Sequence, residues 1–259
     1  FLFSDIRGFT SISEKYKGDP EALTDLINNL LTVLSNEILN HDGTIDKYMG
    51  DCIMAFWNAP SEDINHREKS IKAAFAMSKA IDQLNLDLGR TEKDKLSVGI
   101  GINSGDCIVG NMGSDKRFDY TVLGDAVNLA SRLEGQSANY GMQIILGEET
   151  IKELSSEEFK YFELDLISVK GKLEPVSIYT VFEELKVIDE IEIFMKEHNQ
   201  FLENYRSKKW NEAIKHIEKY RFSVPEFTLY YTLFFERIND LSKQSLPEDW
   251  AGVYVATTK

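Results

Sequence analysis

Leu23, Leu26, Ile27, Leu30, Leu31, Leu34 and Ile38 recur at helical spacing, which predicts a long amphipathic helix. Asp19-Pro20 in front of it supplies a cap and a proline suited to the first turn. Two strand-like runs follow, Thr44 to Met49 and Cys52 to Trp57, separated only by Gly50-Asp51. A two-residue Gly-Asp connection between such runs predicts a tight hairpin. Ile71, Ala74, Phe75, Ser78 and Ile81 mark a second helix, and Leu96 to Ile102 with Cys107 to Asn111 read as another hairpin turning around Gly105. A short helix is expected after Gly124, then strands at Ile144 to Leu146, Phe159 to Val169 and Val176 to Phe182. Strands joined by both helices and hairpins predict a mixed sheet with helices packed on it, the α+β class.

Beyond Glu183 the pattern is helical only, which divides the chain into an alternating domain, 1–184, and a C-terminal helical extension, 185–259. Ile191, Phe194, Met195, His198, Phe201, Leu202 and Tyr205 make one stripe; Trp210, Ala213, Ile214 and Ile217 make a second. Phe227, Tyr230, Tyr231, Phe234, Phe235 and Ile238 make a third, after Pro225. These stripes are expected to pack on the first domain or on a dimer partner.

Composition narrows the partners. A formal charge of -14 over 259 residues repels phosphate backbones, so nucleic acid is not expected to bind, and any nucleotide site must be locally positive. No apolar run approaches the ~20 residues that span a bilayer, and the opening residues are not expected to be a leader. Cys52 and Cys107, both in apolar segments, read as buried small side chains of a reducing cytoplasm. Phe1-Leu2-Phe3 begins inside a strand pattern, so an upstream regulatory region is expected, with any membrane attachment made through it.

Phe3-Ser4-Asp5-Ile6-Arg7-Gly8-Phe9-Thr10 reads as a strand ending in a carboxylate, then a glycine turn into a helix capped by Thr10. That arrangement suits a metal-bound triphosphate, with backbone N–H groups beside the acid. Asp51 is a second carboxylate, in the hairpin turn. If the hairpin lies beside the first strand, the two acids meet, and hard cations such as Mg²⁺ or Mn²⁺ would relieve their repulsion. Strand-ending and turn aspartates are ordinarily structural, and a lone Arg132 would ordinarily be a surface ion-pair residue. The argument therefore rests on the pattern as a whole.

Those two segments, with Lys47-Tyr48-Met49-Gly50-Asp51 and the run from Arg117 to Arg132, resemble the three-part pattern of the class III nucleotidyl cyclases, over roughly residues 1–182. The resemblance implies a ferredoxin-like βαββαβ core, similar to polymerase palms, and an enzyme making 3′,5′-cyclic AMP and pyrophosphate from ATP. Asp5 and Asp51 match the family's metal aspartates, with the Ile6 carbonyl as an extra ligand, for two Mg²⁺ or Mn²⁺ ions per site. Lys47 and Thr121 match the purine-reading positions, a Lys–Thr pair resembling the class IIIb adenylyl cyclases. Asn128 and Arg132, one turn apart, match the ribose-orienting and phosphate-stabilising residues. Gly8, Phe9 and Thr10 fall in the phosphate-side turn. Lys170 or Lys172, and more weakly Arg117, match cations for the triphosphate. The arginine some members carry ahead of Gly99 is replaced here by Ser97.

In this family the aspartates come from one subunit and the purine, Asn and Arg positions from the other, so a chain carrying both sets implies a head-to-tail homodimer. A guanylyl cyclase would ordinarily have Glu at the Lys47 position. An inactive cyclase-like module would lack an aspartate or the arginine. An enzyme joining two GTP molecules would carry a Gly-Gly-acidic-acidic-Phe hairpin, unlike Met49-Gly50-Asp51-Cys52-Ile53.

Overall fold

The computed structural model describes residues 1–154, 158–169, 174–183 and 191–255. It opens on β1 (Leu2–Ile6), α1 (Phe9–Lys15) and α2 (Pro20–Asn40). Asp19 caps α2 as its spacing predicts, accepting a hydrogen bond from the Ala22 N–H at 3.0 Å. The hairpin of β2 (Thr44–Met49) and β3 (Cys52–Phe56) follows, then α3 (His66–Asp87) and β4 (Val98–Ile102). Next come β5 (Ile108–Ser114), β6 (Arg117–Leu123), α4 (Asp125–Tyr140), β7 (Ile144–Gly147), α5 (Glu148–Ile151), β8 (Lys160–Ser168) and β9 (Val176–Phe182). The extension contains α6 (Ile191–Arg206), α7 (Trp210–Tyr220), a 3-10 turn at Pro225–Phe227, α8 (Thr228–Leu241) and β10 (Tyr254–Val255).

Among the described residues one sheet has eight strands, in the order β10-β8-β9-β7-β4-β1-β3-β2. Its β4-β1-β3-β2 half is antiparallel throughout, crossed over by α1–α2 and by α3. This is the expected βαββαβ core. β7 adds to β4 in parallel, which makes the sheet mixed. Alternation divides the two faces. Leu2, Ile6, Ile53, Ala55, Val98 and Ile100 cluster with Leu30, Leu34, Ile71 and Met77 of α2 and α3. Phe3, Met54 and Phe56 point the other way, onto Val122 of β6 and Val127 and Ala130 of α4. Gly101 allows α4 to lie flat there: a Cβ on it would stand 2.2 Å from the Glu134 nitrogen and 2.3 Å from the Ala130 oxygen.

Four sequence expectations need correcting. β4 does not form a hairpin with β5, because β1 and β7 already occupy both of its edges. β5 instead pairs β6 around Asp115-Lys116, in a separate two-stranded ribbon. Thr10 does not cap α1; Gly8, at φ 68°, takes the cap position. Cys107 is exposed and Cys52 half-buried, since the segment after Ile102 leaves the sheet rather than entering it. The helix after Gly124 is also longer than expected, at 16 residues.

The extension packs on the first domain, as expected. Phe194, Phe201, Leu202, Tyr205, Ile217, Phe227 and Phe234 join Leu133 and Tyr140 of α4 and Phe162, Leu164 and Ile178 of the sheet in one buried cluster. Arg237 of α8 and Tyr140 of α4 both donate to Asp165 Oδ2, at 2.5 and 2.7 Å. β10 adds to β8 in parallel, which no sequence signal announced.

A buried relay ties α6, α7 and α8 to β8. His198 Nε2 lies 2.6 Å from the Glu163 carbonyl oxygen, so it must be the protonated nitrogen. Nδ1 is then an acceptor and takes the Tyr231 hydroxyl proton at 2.9 Å, while His216 Nε2 donates to that hydroxyl oxygen at 2.9 Å. Burial holds His198 down to about 4 and His216 to about 3. Above about pH 6.5 both imidazoles are neutral whether the chain is folded or unfolded. Between 6.5 and 4 the unfolded chain takes up protons that the folded one refuses, so stability falls as pH falls. His198 alone is expected to contribute a loss of about 2 kcal/mol between pH 7.5 and 5. Urea titrations at the two pH values check this, with His198→Gln expected to flatten the difference. An identical pH slope in the variant would remove the imidazole as its cause.

Candidate active site

Two aspartates meet where β1 ends. β1 pairs β3 with Ser4 opposite Ile53, so one further step sets Asp5 beside Cys52 and the adjoining turn. That turn is Gly50-Asp51, with Gly50 at φ 68° in the left-handed region that favours glycine. Asp51 is pushed up to about 6, by burial first and then by the hydrogen bond its protonated carboxyl donates to Asp5 and by the charge of Asp5. The Ile6 N–H donates to Asp5 Oδ1 at 3.0 Å. Two carboxylates so crowded that one is driven toward its neutral form fit a divalent cation between them. Among the described residues no group of three or more His, Cys, Asp or Glu side chains gathers as a metal site. A pair suits Mg²⁺, which keeps several water or phosphate oxygens as ligands.

Sequence reasoning missed a third carboxylate. Glu134 Oε1 lies over β4, 2.7 Å from where a Cβ on Gly99 would be, and Gly99 pairs with Asp5. Burial and the charge of Asp5 push Glu134 up to about 7, Arg7 opposing. The Arg7 guanidinium in turn donates to the Met142 carbonyl. The available signal was Gly99 and Gly101 alternating along β4, which marks a strand face approached closely by a helix.

Asn128 and Arg132 share one side of α4, as their spacing predicts, but not the side facing Asp5. Ala130 and Glu134 touch the sheet. At 100° per residue, Asn128 and Arg132 each lie about 160° around the axis from Ala130. Asn128 is exposed, and Arg132 is half-buried with Nη1 lacking any hydrogen-bond partner. That nitrogen is a donor suited to an anion.

Lys47 and Thr121 are brought together, and the means is a bulge. Ile45 pairs with Ala55, but Lys47 pairs with Met54, so Asp46 is an extra residue in β2. Paired residues share a face. The bulge therefore turns Lys47 from the α2 side, where simple alternation from Ile45 would leave it, to the Met54 side. Tyr48 is correspondingly directed to α2, its hydroxyl 2.9 Å from Ser35 Oγ. The Asp46 side chain is fully buried; Thr121 Oγ1 donates to its Oδ2 at 2.5 Å and Lys47 Nζ stands 3.2 Å from its Oδ1. Asp46 was not among the residues singled out from sequence.

The remaining candidates fall outside these clusters. Gly8 and Thr10 are exposed, and Phe9 packs against the α2–α3 core rather than standing free. Arg117 sits beside the β5–β6 turn, opposite Ser114, 3.7 Å from Asp119. Lys170 and Lys172 lie outside the described residues.

The β5–β6 ribbon exposes Ile108, Val109, Phe118, Tyr120 and Leu123, and the nearby hairpin end exposes Tyr48 and Met49. A two-stranded ribbon is marginal alone, and so much apolar surface marks an interaction site. No helix among the described residues is long and apolar enough to cross a membrane.

Known proteins share the sequence and fold of the first domain. The chain is 40% identical over 188 residues to an adenylate cyclase of Anabaena cylindrica, covering 70% of this chain and 36% of that protein. It is 30% identical over 191 residues to adenylate cyclase 1 of Rhizobium meliloti, covering 74% of this chain and 28% of that protein. The chain thus spans about a third of the length of these curated relatives. The crystal structure of the adenylyl cyclase CyaB from P. aeruginosa superposes with a TM-score of 0.64 at 39% identity, covering 72% of this chain and 94% of that one. A guanylyl cyclase crystal structure gives 0.57 at 33%, covering 70% and 89%. Residues 1–183 match the adenylate and guanylate cyclase catalytic domain. With that match over most of its length and the paired aspartates at the end of a palm-like sheet, the chain belongs to the class III nucleotidyl cyclases.

Proposed function

We propose that this domain is an adenylyl cyclase that converts ATP to 3′,5′-cyclic AMP and pyrophosphate, at two equivalent sites shared across a head-to-tail homodimer. The base choice rests on the convergence of Lys47 and Thr121 on one side of β2. An ammonium there can only donate, which suits the adenine ring nitrogen and mismatches the N–H that guanine presents. The shared site rests on α4: Asn128 and Arg132 point away from the sheet that carries Asp5 and Asp51 in the same chain. The exposed apolar ribbon is the surface that a second copy would cover.

Asp5 and Asp51, with the Ile6 carbonyl, would hold two Mg²⁺ or Mn²⁺ ions, whose chemistry is to favour the ionised ribose 3′-oxygen and neutralise the leaving pyrophosphate. The protein's own task is alignment and charge complementarity. Arg132 offers its unpartnered Nη1 to the phosphate, Asn128 holds the ribose, and Lys47 fixes the base. Lys170, Lys172 and Arg117 are candidates for the outer phosphates.

The test is incubation with ATP or GTP and Mn²⁺ or Mg²⁺, identifying the cyclic product by mass. Cyclic AMP is expected from ATP, with GTP a poor substrate. Lys47→Glu reverses the hydrogen-bonding sense and is expected to lower kcat/KM for ATP roughly ten- to hundredfold. Equal use of ATP and GTP by the unmodified protein would overturn the adenylyl assignment.

A further inference from the structure

We propose that Asp46 is the residue that makes the base site specific for adenine, by fixing the direction of the Thr121 hydroxyl proton and holding the Lys47 ammonium beside it. The inference rests on Lys47 and Thr121 facing the purine, as proposed above. A threonine hydroxyl is ambiguous: it carries one proton and two lone pairs, and rotates to donate or accept as its neighbour requires. Here that freedom is removed. Thr121 Oγ1 donates its only proton to Asp46 Oδ2 at 2.5 Å, so toward any other partner it can only accept. Asp46 Oδ1 makes no hydrogen bond, and the Lys47 ammonium faces it at 3.2 Å, out of line for one. All three ammonium protons therefore remain available while its charge is held in place.

The site thus presents one acceptor, Thr121 Oγ1, and one donor, Lys47 Nζ. Adenine's Watson–Crick edge offers the complement, the donor N6 amino group and the acceptor N1. Guanine offers the reverse, the acceptor O6 and the donor N1–H, and would meet two mismatches. Asp46 cannot read the base itself, because its side chain is wholly buried. It acts through its two neighbours and is a positioning residue. The β2 bulge at Asp46 is what brings it there: without the extra residue, Lys47 would follow Ile45 onto the α2 face.

The readout is the ratio of kcat/KM for ATP to that for GTP, measured in the unmodified protein, Asp46→Asn, Thr121→Val and the double variant. A carboxamide can donate to Thr121, which frees the hydroxyl proton to point at the base. Asp46→Asn is therefore expected to lower the ratio at least tenfold, and to have little further effect once Thr121→Val has removed the hydroxyl. A ratio within twofold of the unmodified protein in Asp46→Asn, while Thr121→Val lowers it, would overturn the role of Asp46 and leave the base-site reading standing. A ratio unchanged in both Thr121→Val and Lys47→Glu would overturn both. Should Asp46→Asn fail to fold, purine riboside triphosphate, which lacks the N6 amino group, decides the matter in the unmodified enzyme. It is expected to be used at least tenfold less well than ATP, and equally well once Thr121→Val is introduced. Equal use by the unmodified enzyme would show that Thr121 accepts nothing from the base and would overturn the proposal.

Discussion

Asp51→Asn is expected to abolish cyclic AMP formation while making the metal-free protein more stable at neutral pH. The catalytic half follows from the loss of one of two carboxylates proposed to hold both cations. Removing a group that stabilises developing charge at a reacting centre costs on the order of 10²–10³ in rate, and here two ions are affected. The stability half follows from crowding. Asp51 is pushed up to about 6 from an ordinary aspartate value, so the fold favours its neutral form. A carboxyl raised in this way stabilises the fold at low pH, and that contribution is lost as pH rises through about 6. At pH 7.5 an ionised Asp51 therefore opposes folding, and an uncharged isostere does not. Much of the group is in contact with solvent, so screening reduces the effect to roughly 1 kcal/mol, or about 2–4 °C in Tm for a chain of this size. Thermal melts with chelator present, alongside product assays in Mg²⁺, check both halves. Near wild-type turnover in the variant would sink the two-metal assignment whatever its Tm.

Mixing two dead proteins is expected to restore activity. If each site takes Asp5 and Asp51 from one subunit and Lys47, Asn128 and Arg132 from the other, then Asp5→Ala and Arg132→Ala homodimers are both inactive. In a mixed dimer one site collects both lesions, and the other receives unaltered aspartates and an unaltered arginine. Random exchange at equal amounts makes about half the dimers mixed, each with one good site of two, so about a quarter of wild-type activity should return. A site built within one chain cannot show this, because every chain in the mixture carries a lesion. The direction of α4 motivates the experiment: Ala130 and Glu134 lie against β4, and Arg132 points away with an unpartnered Nη1. Subunits are exchanged, heterodimers confirmed by mass, and cyclic AMP measured. Heterodimers without activity would falsify the shared site.

What the sequence determined by itself was everything set by neighbours along the chain. The stripe from Leu23 to Ile38 specified α2, Asp19-Pro20 its start, and Gly50-Asp51 the turn that holds the second aspartate. The i, i+4 spacing of Asn128 and Arg132 specified their common side of α4. In each case the physical cause acts within a few residues: a helical period, a cap, a left-handed glycine. The β4–β5 hairpin was misread because an edge already taken by β1 and β7 is a fact about distant segments. The bulge at Asp46 was illegible for the same reason, since an extra residue exists only relative to the strand it pairs with. Glu134 carried no signal of its own in the sequence, because only the packing of α4 over Gly99 brings it near Asp5. Only the tertiary structure decided which carboxylates crowd together, which way Lys47 faces and where Arg132 points. Those properties depend on register and on the packing of helix against sheet, which join residues as far apart in sequence as Asp46 and Thr121.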